Sequence, residues 1–479
     1  MTVALHDLLP AGLRRSWAVD GTCPDLDLYS LFRARQIADL HATAVVDAKG
    51  KLCYTALDRK VRCLAAGLAG LGIRPGEVVG VQLPNGRAAV IADLALAAVG
   101  AVALPFPVGR GSLEAQALLR RAEAVAVIAP VEHRGSHPAA ELRALVPALP
   151  ELRHVIAAGR AGSEPEGTIP LSGLLRSDPA AFVPARPDPD SAARILVSSG
   201  SEAEPKMVAY SHNALAGGRG NFLASLIPDG TPPRCLFLVP LGSAFGSNGT
   251  AVTLARHGGT LILLDHFTPE AEVHATGVVA GRPDPRVADI HITDPDTHEQ
   301  LPDGEIGEII ARGPMTPMCY VASPELDARY RTPEGWVRTG DLGLIDEDGV
   351  LHLVGRLKDI VIRGGANISP AEVERELAAH PRVRDVVCVG IPDRLMGERL
   401  AACVVPRGPE APTLDSLGEH LTRRGLERRK HPERLLVLAE LPLTPAGKPD
   451  RAALRERLAQ PARTAPTPAA PAPPLAHAG

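Results

Sequence analysis

The sequence predicts an α/β protein with a large N-terminal domain of parallel and mixed sheets flanked by helices, and a small α+β C-terminal domain. Three observations predict it. Residues 28–125 alternate helix-period and strand-period segments, which implies a mostly parallel sheet covered on both faces. The 479-residue length accommodates two domains and a large buried core. Beyond Lys358 the order changes to helix, strand, strand, helix, strand, helix, a self-contained unit of roughly 100 residues.

The elements follow in order. Residues 54–58 open a helix with Val61, Leu64, Ala65, Leu68 and Leu71 near a 3.6-residue period. A Gly-Ile-Arg-Pro-Gly turn at 72–76 ends it, and 78–83 reads as a buried strand. A helix starts near 85 and a strand covers 101–104. The apolar run 91–107 is interrupted by Asp93, Gly100 and Pro105, so a buried helix and strand account for it better than a membrane span. Residues 133–190, rich in Pro, Ala and Gly, read as loops with short elements between them. A strand at 195–197 runs into the polar stretch 198–206; 235–240 and 261–264 are further strands, and 305–311 and 350–354 read as antiparallel strands. In the small unit the helices are 370–379, 414–424 and one after 450, with strands at 385–390, 400–406 and 433–438. The Pro/Ala-rich tail 461–479 is expected to be disordered.

Composition narrows the function classes. Apolar residues make up 45% and charged residues 22%, and the net charge of −4 gives no reason to invoke nucleic acid or an anionic membrane surface. Seven scattered cysteines, none in Cys-x-x-Cys, argue against a disulfide framework and fit a reducing, cytoplasmic setting. The first residues carry no long apolar core behind a basic start, so no signal peptide is expected. Among 51 basic residues only seven are lysines, and three of those (Lys206, Lys358 and Lys448) fall inside motifs. In a chain that otherwise writes Arg, a lysine marks a need for a compact ammonium on a flexible stem.

The motifs concentrate in four places. Ser198, Ser199, Gly200, Ser201, Pro205 and Lys206 form a hydroxyl- and glycine-rich loop after a strand, the composition that replaces water around polyphosphate. Between Gly335 and Glu374 stand Gly-Trp-x-x-Thr-Gly-Asp (335–341), Gly-Arg-x-Lys-Asp (355–359), and Gly364-Gly365 followed by Pro-x-Glu-Val-Glu (370–374). A Pro-x-Thr-x-x-Gly-Lys loop ends at Lys448, with Arg451 just beyond. The turn at 240–246 carries Ser243 and Phe245.

In their order and spacing these motifs resemble the adenylate-forming (AMP-binding) superfamily of acyl-CoA synthetases, peptide-synthetase adenylation domains and luciferases. The resemblance covers roughly residues 28–458. It implies an AMP-binding domain over 1–355, a hinge at 356–358 pivoting at Lys358, and a C-terminal domain over 359–460. It further implies ATP and Mg²⁺, with CoA or a carrier protein's phosphopantetheine as thiol acceptor and a small carboxylic acid as substrate. By the same resemblance Ser198, Ser199, Gly200, Ser201 and Lys206 meet the phosphates. Asp341 accepts from the ribose hydroxyls, as a carboxylate can for a vicinal diol, and Arg356 is a second nucleotide contact. Gly364 and Gly365 face the thiol channel, and Lys448 steadies the charge that develops as carboxylate attacks the α-phosphate.

The sequence departs from that pattern. Glu202, Ala203 and Met207 replace a hydroxyl residue and two glycines in the phosphate loop, and Ser243 stands where the family often has His near the acyl pocket. Several dozen residues expected between about 270 and 277 have no counterpart, and the aromatic-Gly-x-Thr-Glu motif that packs on adenine and holds Mg²⁺ is found nowhere in the chain. No metal ligands are identifiable. The N-terminal domain is thus expected to be truncated in its centre. Three readings stay open: a ligase that loads CoA, one that loads a carrier protein, and an inactive relative that binds nucleotide or a partner. A Rossmann dehydrogenase is disfavoured because no Gly-x-Gly-x-x-Gly is suitably placed. A hydrolase built on Ser211 and His212 lacks a Gly-x-Ser-x-Gly elbow.

Overall fold

The structure, a computed structural model, describes residues 3–108, 111–197, 206–227, 229–237, 239–264, 279–359, 361–363, 366–424, 426, 428–444 and 449–459. Two compact units emerge. The larger takes in residues up to 264, 280–339 and 345–351, and the smaller holds 340–344 and 352–459.

The larger unit is built on an eight-stranded sheet. Its order is Cys319–Tyr320, Met207–Ser211, Ala192–Val197, Val102–Pro105, Val78–Val81, Ala126–Pro130, His154–Ala158, Ile169–Pro170. From Ala192–Val197 onward every neighbour is parallel, while the two strands at the other end pair antiparallel. A second sheet sets Arg234–Phe237, Thr260–Leu263 and Thr43–Asp47 parallel, then turns back in the hairpin strand Gly50–Cys53.

Helix Arg87–Val99 explains the apolar run. Ala89 to Ala92 and Leu94 to Val99 are all buried, so the helix is covered nearly all round rather than along one stripe. Gly100 closes it with φ +77°, a left-handed cap that a residue with a Cβ adopts only under strain. Helix Tyr54–Gly70 buries Leu57, Val61, Leu64, Ala65 and Leu68 on one face. Its first residue is pinned by the Tyr54 hydroxyl, which donates to the Gly259 carbonyl at 2.8 Å. Helix Gly249–Arg256 is wound with i→i+5 bonds, a form that apolar periodicity does not announce.

The smaller unit centres on the hairpin Val383–Asp393 and Gly397–Pro406. Alternation sorts its residues onto two cores. Cys388, Leu400, Ala402 and Val404 pack with Val373, Leu377, Leu417 and Leu421; Val387, Val389, Ala401 and Cys403 pack with Leu454 of helix Arg451–Ala459. The ladder runs further than the expected strands 385–390 and 400–406. Its outer end is polar, closed by Asp393 accepting from the Leu395 and Met396 amides and paired to Arg399. Hydrophobic patterning detects the buried part of a ladder, whereas backbone pairing continues past it. No helix among the described residues is long and apolar enough to cross a membrane.

Candidate active site

Asp341 and Arg356 come together in the smaller unit. The Arg356 Nε lies 2.9 Å from Asp341 Oδ1. Asp341 stands on strand Val337–Ile345 and Arg356 ends strand Leu351–Arg356. Gly340, immediately before the aspartate, has φ +71°, so this strand holds a left-handed residue that only glycine adopts without strain. That is the physical need behind Thr-Gly-Asp. The preceding Thr339 hydroxyl donates to the Ile309 carbonyl at 2.7 Å and fixes the approach. The two side chains are 34% and 56% exposed. An ion pair this accessible contributes at most about 1 kcal/mol.

Trp336, in the same motif, received no role from the sequence. In the larger unit its ring meets the Arg312 guanidinium at 4.4 Å and the tilted His291 ring, also at 4.4 Å.

Lys206 immediately precedes strand Met207–Ser211. Its ammonium donates to the Tyr330 hydroxyl at 3.2 Å and lies 4.3 Å from that ring's centre. Tyr330 ends helix Pro324–Tyr330 and belongs to no motif, which is why sequence reading missed it. Lys206 follows directly on residues 198–205, which join two antiparallel strands, Ala192–Val197 and Met207–Ser211. The loop thus leaves the carboxyl end of a sheet strand, the end where open α/β sheets place ligands. Ser198, Ser199, Gly200 and Ser201 themselves lie outside the described residues, as do Gly364, Gly365 and Lys448. Lys358 falls in the short turn Leu357–Asp359; its backbone alone is described.

Ser243 holds its own turn. Its hydroxyl donates to the Pro240 carbonyl at 2.8 Å and accepts from the Gly246 amide at 2.9 Å. Phe245 is 67% exposed, its ring 6.3 Å from that of Phe237. Neither lines the adjacent cavity of about 20 Å³, which is bounded by Leu241, Gly242, Asp93, Arg194 and Thr250 and holds about one water. Arg194 is buried there, paired with Asp93 and bonded to the Ser247 carbonyl at 3.0 Å. Sequence reading missed this network, since the two residues lie 101 positions apart.

The Ser211–His212 pair is structural. Ser211 caps helix His212–Ala216 by accepting from the Ala214 amide, and His212 Nδ1 accepts from the Leu28 amide at 3.2 Å. Burial pushes the His212 imidazole down to about 4, so it stays neutral. Among the described residues no three His, Cys, Asp or Glu side chains converge as a metal site. The described residues supply no carboxylate set for Mg²⁺.

Fold and motifs define a nucleotide-binding α/β enzyme with a small second domain. The AMP-binding enzyme family matches residues 33–279 and the AMP-binding enzyme C-terminal domain matches 372–448; the chain belongs to the AMP-binding, adenylate-forming family. Triostin synthetase I of Streptomyces triostinicus is 32% identical, covering 86% of this chain and 90% of its own. The medium-chain fatty-acid–CoA ligase of Escherichia coli K12 is 26% identical, covering 92% of each. Among solved structures, the amide bond synthetase McbA of Marinactinospora thermotolerans superposes with a TM-score of 0.74 at 26% identity, over 90% of this chain and 99% of that one. The relatives thus include CoA ligases and adenylation enzymes.

Proposed function

We propose that the chain activates a small carboxylic acid with ATP as its acyl-adenylate and passes the acyl group to a thiol. The carboxylate oxygen attacks the α-phosphorus and pyrophosphate leaves; the thiolate then attacks the acyl carbon and AMP leaves. The thiol is that of CoA or of a carrier protein's phosphopantetheine, which present the same arm. The observation that carries this reading is the Asp341–Arg356 pair behind a left-handed glycine, a half-buried carboxylate suited to a ribose diol. Ser198, Ser199, Gly200, Ser201 and Lys206 would hold the phosphates. Lys448 would stabilise charge in the first half-reaction, and Lys358 would serve as pivot. Gly364 and Gly365 would admit the thiol arm. Ser243, with little side chain, would leave room beside Phe245 for a bulky acyl group.

The assay is pyrophosphate exchange into ATP over a panel of carboxylic acids of graded size. Lys448→Ala should lower exchange by roughly 10²–10³-fold, the scale of one lost transition-state contact. Exchange at the parental rate in that variant would refute the role.

A second reading, an inactive relative that binds nucleotide or a partner, has its own support. The alignment with triostin synthetase I runs over 503 positions and that with the E. coli ligase over 526, both more than the whole 479-residue chain. Both relatives therefore carry residues with no counterpart here, which agrees with an internal deletion and a missing aromatic-Gly-x-Thr-Glu motif. ATP binding without exchange for any acid would favour this reading.

A further inference from the structure

Two motif residues remain without a part in the chemistry: Glu374, closing Pro-x-Glu-Val-Glu, and Arg451, three positions after Lys448. They meet. The Arg451 guanidinium lies 2.9 Å from Glu374 Oε1, and its other arm donates to the Cys388 carbonyl. Glu374 Oε1 also accepts from the Cys388 amide at 2.7 Å. One carboxylate and one fork thus join helix Pro370–Ala378, strand Val383–Asp393 and the start of helix Arg451–Ala459. The side chains are 19% and 27% exposed. Burial raises the Glu374 carboxyl, and Arg451 opposes that rise.

The same place closes the ends of the segment that holds Lys448. Leu443 bridges to Pro449, and the Asp450 amide donates to the Pro442 carbonyl at 2.8 Å. The Asp450 carboxylate caps the helix through the Ala453 amide at 3.0 Å, and Leu454 is fully buried one turn on. The planar fork of arginine can hold carboxylate and carbonyl together, which an ammonium cannot do as well.

We infer that Arg451, clamped by Glu374 and the Cys388 carbonyl, is a positioning residue that fixes the base from which Lys448 reaches the acid and the α-phosphate. The inference rests on the reading of Lys448 given above. A fixed base removes conformational freedom that the ammonium would otherwise lose at the transition state. A clamp that merely held the domain together would weaken both half-reactions equally. A positioning clamp acts on the first alone.

The test uses the full chain with Arg451→Met, Arg451→Lys and the isosteric Glu374→Gln. Pyrophosphate exchange reads the first half, and thioester formation from a synthetic acyl-adenylate reads the second. Arg451→Met should lower kcat for exchange about 30-fold with KM values within about 2-fold and the second half unchanged; Arg451→Lys should recover part of the loss. Hydrogen exchange of amides 443, 444 and 450–454 should quicken at least about 10-fold in Arg451→Met, with strand Gly397–Pro406 unaffected. If Arg451→Met unfolds the small unit, the same local quickening in Glu374→Gln decides. A parental chain without pyrophosphate exchange would fail the functional reading, and amide exchange would still judge the clamp. Unchanged amides at 443, 444 and 450–454, or equal losses in both halves, would overturn the inference.

Discussion

At the scale of single residues, chemistry and packing compete for the same motifs. Thr339, Gly340 and Asp341 were legible as a motif because they are neighbours in the chain; the left-handed φ of Gly340 came only with the structure. Tyr330 was not, because any residue that ends a helix can be an aromatic, and only the fold brings it to Lys206. His212 shows the reverse. Beside Ser211 it offers a hydrolase-like pair that lacks its elbow motif, and in space it is a buried acceptor. Its imidazole ionises near pH 4 when folded and near 6.5 when unfolded. Between those values the unfolded chain binds the extra proton, so stability rises with pH through that window. His212 costs no stability above about 6.5 and its full penalty, about 3 kcal/mol, is felt below about 4. Denaturant unfolding at pH 4.5 and 7 should show this dependence reduced in His212→Gln; an equal pH dependence in both proteins would exclude the assignment.

At the scale of elements, turns are decided by backbone contacts as well as residue preference. The turn at 240–246 closes on Ser243, and a Cβ added to Gly246 would come within 1.9 Å of the Pro240 carbonyl oxygen. Gly246→Ala must therefore move backbone. Overpacking of this kind typically costs about 1–3 kcal/mol. Thermal unfolding should fall accordingly, and KM for the acid should change if Ser243 and Phe245 border the acyl site. A variant as stable as the parent would show that the turn relaxes freely. The strands of the small unit follow the same logic. Their apolar cores were visible as alternation, but the polar end near Asp393 and Arg399 was not, since a ladder needs hydrogen bonds and no hydrophobic residues.

At the scale of the whole molecule, the question is what the residues that the relatives carry and this chain lacks would contribute. The relatives align over more positions than this chain possesses. If the absent residues hold the adenine wall and the metal carboxylate, placing the corresponding several dozen residues of a relative between positions 270 and 277 should raise pyrophosphate exchange at least about 100-fold, the value of one or more lost contacts. No gain in a folded chimera would exclude these residues as what limits exchange.

The sequence by itself determined the family, the two-part α/β plan and the identity of the motif residues, because periodicity and short-range spacing are local properties of a chain. Tertiary structure alone decided which distant residues meet: Asp93 with Arg194, Lys206 with Tyr330, and Glu374 with Arg451. Burial of opposite charges and the fork geometry of arginine depend on elements brought side by side from far along the chain. No window of neighbouring residues records that.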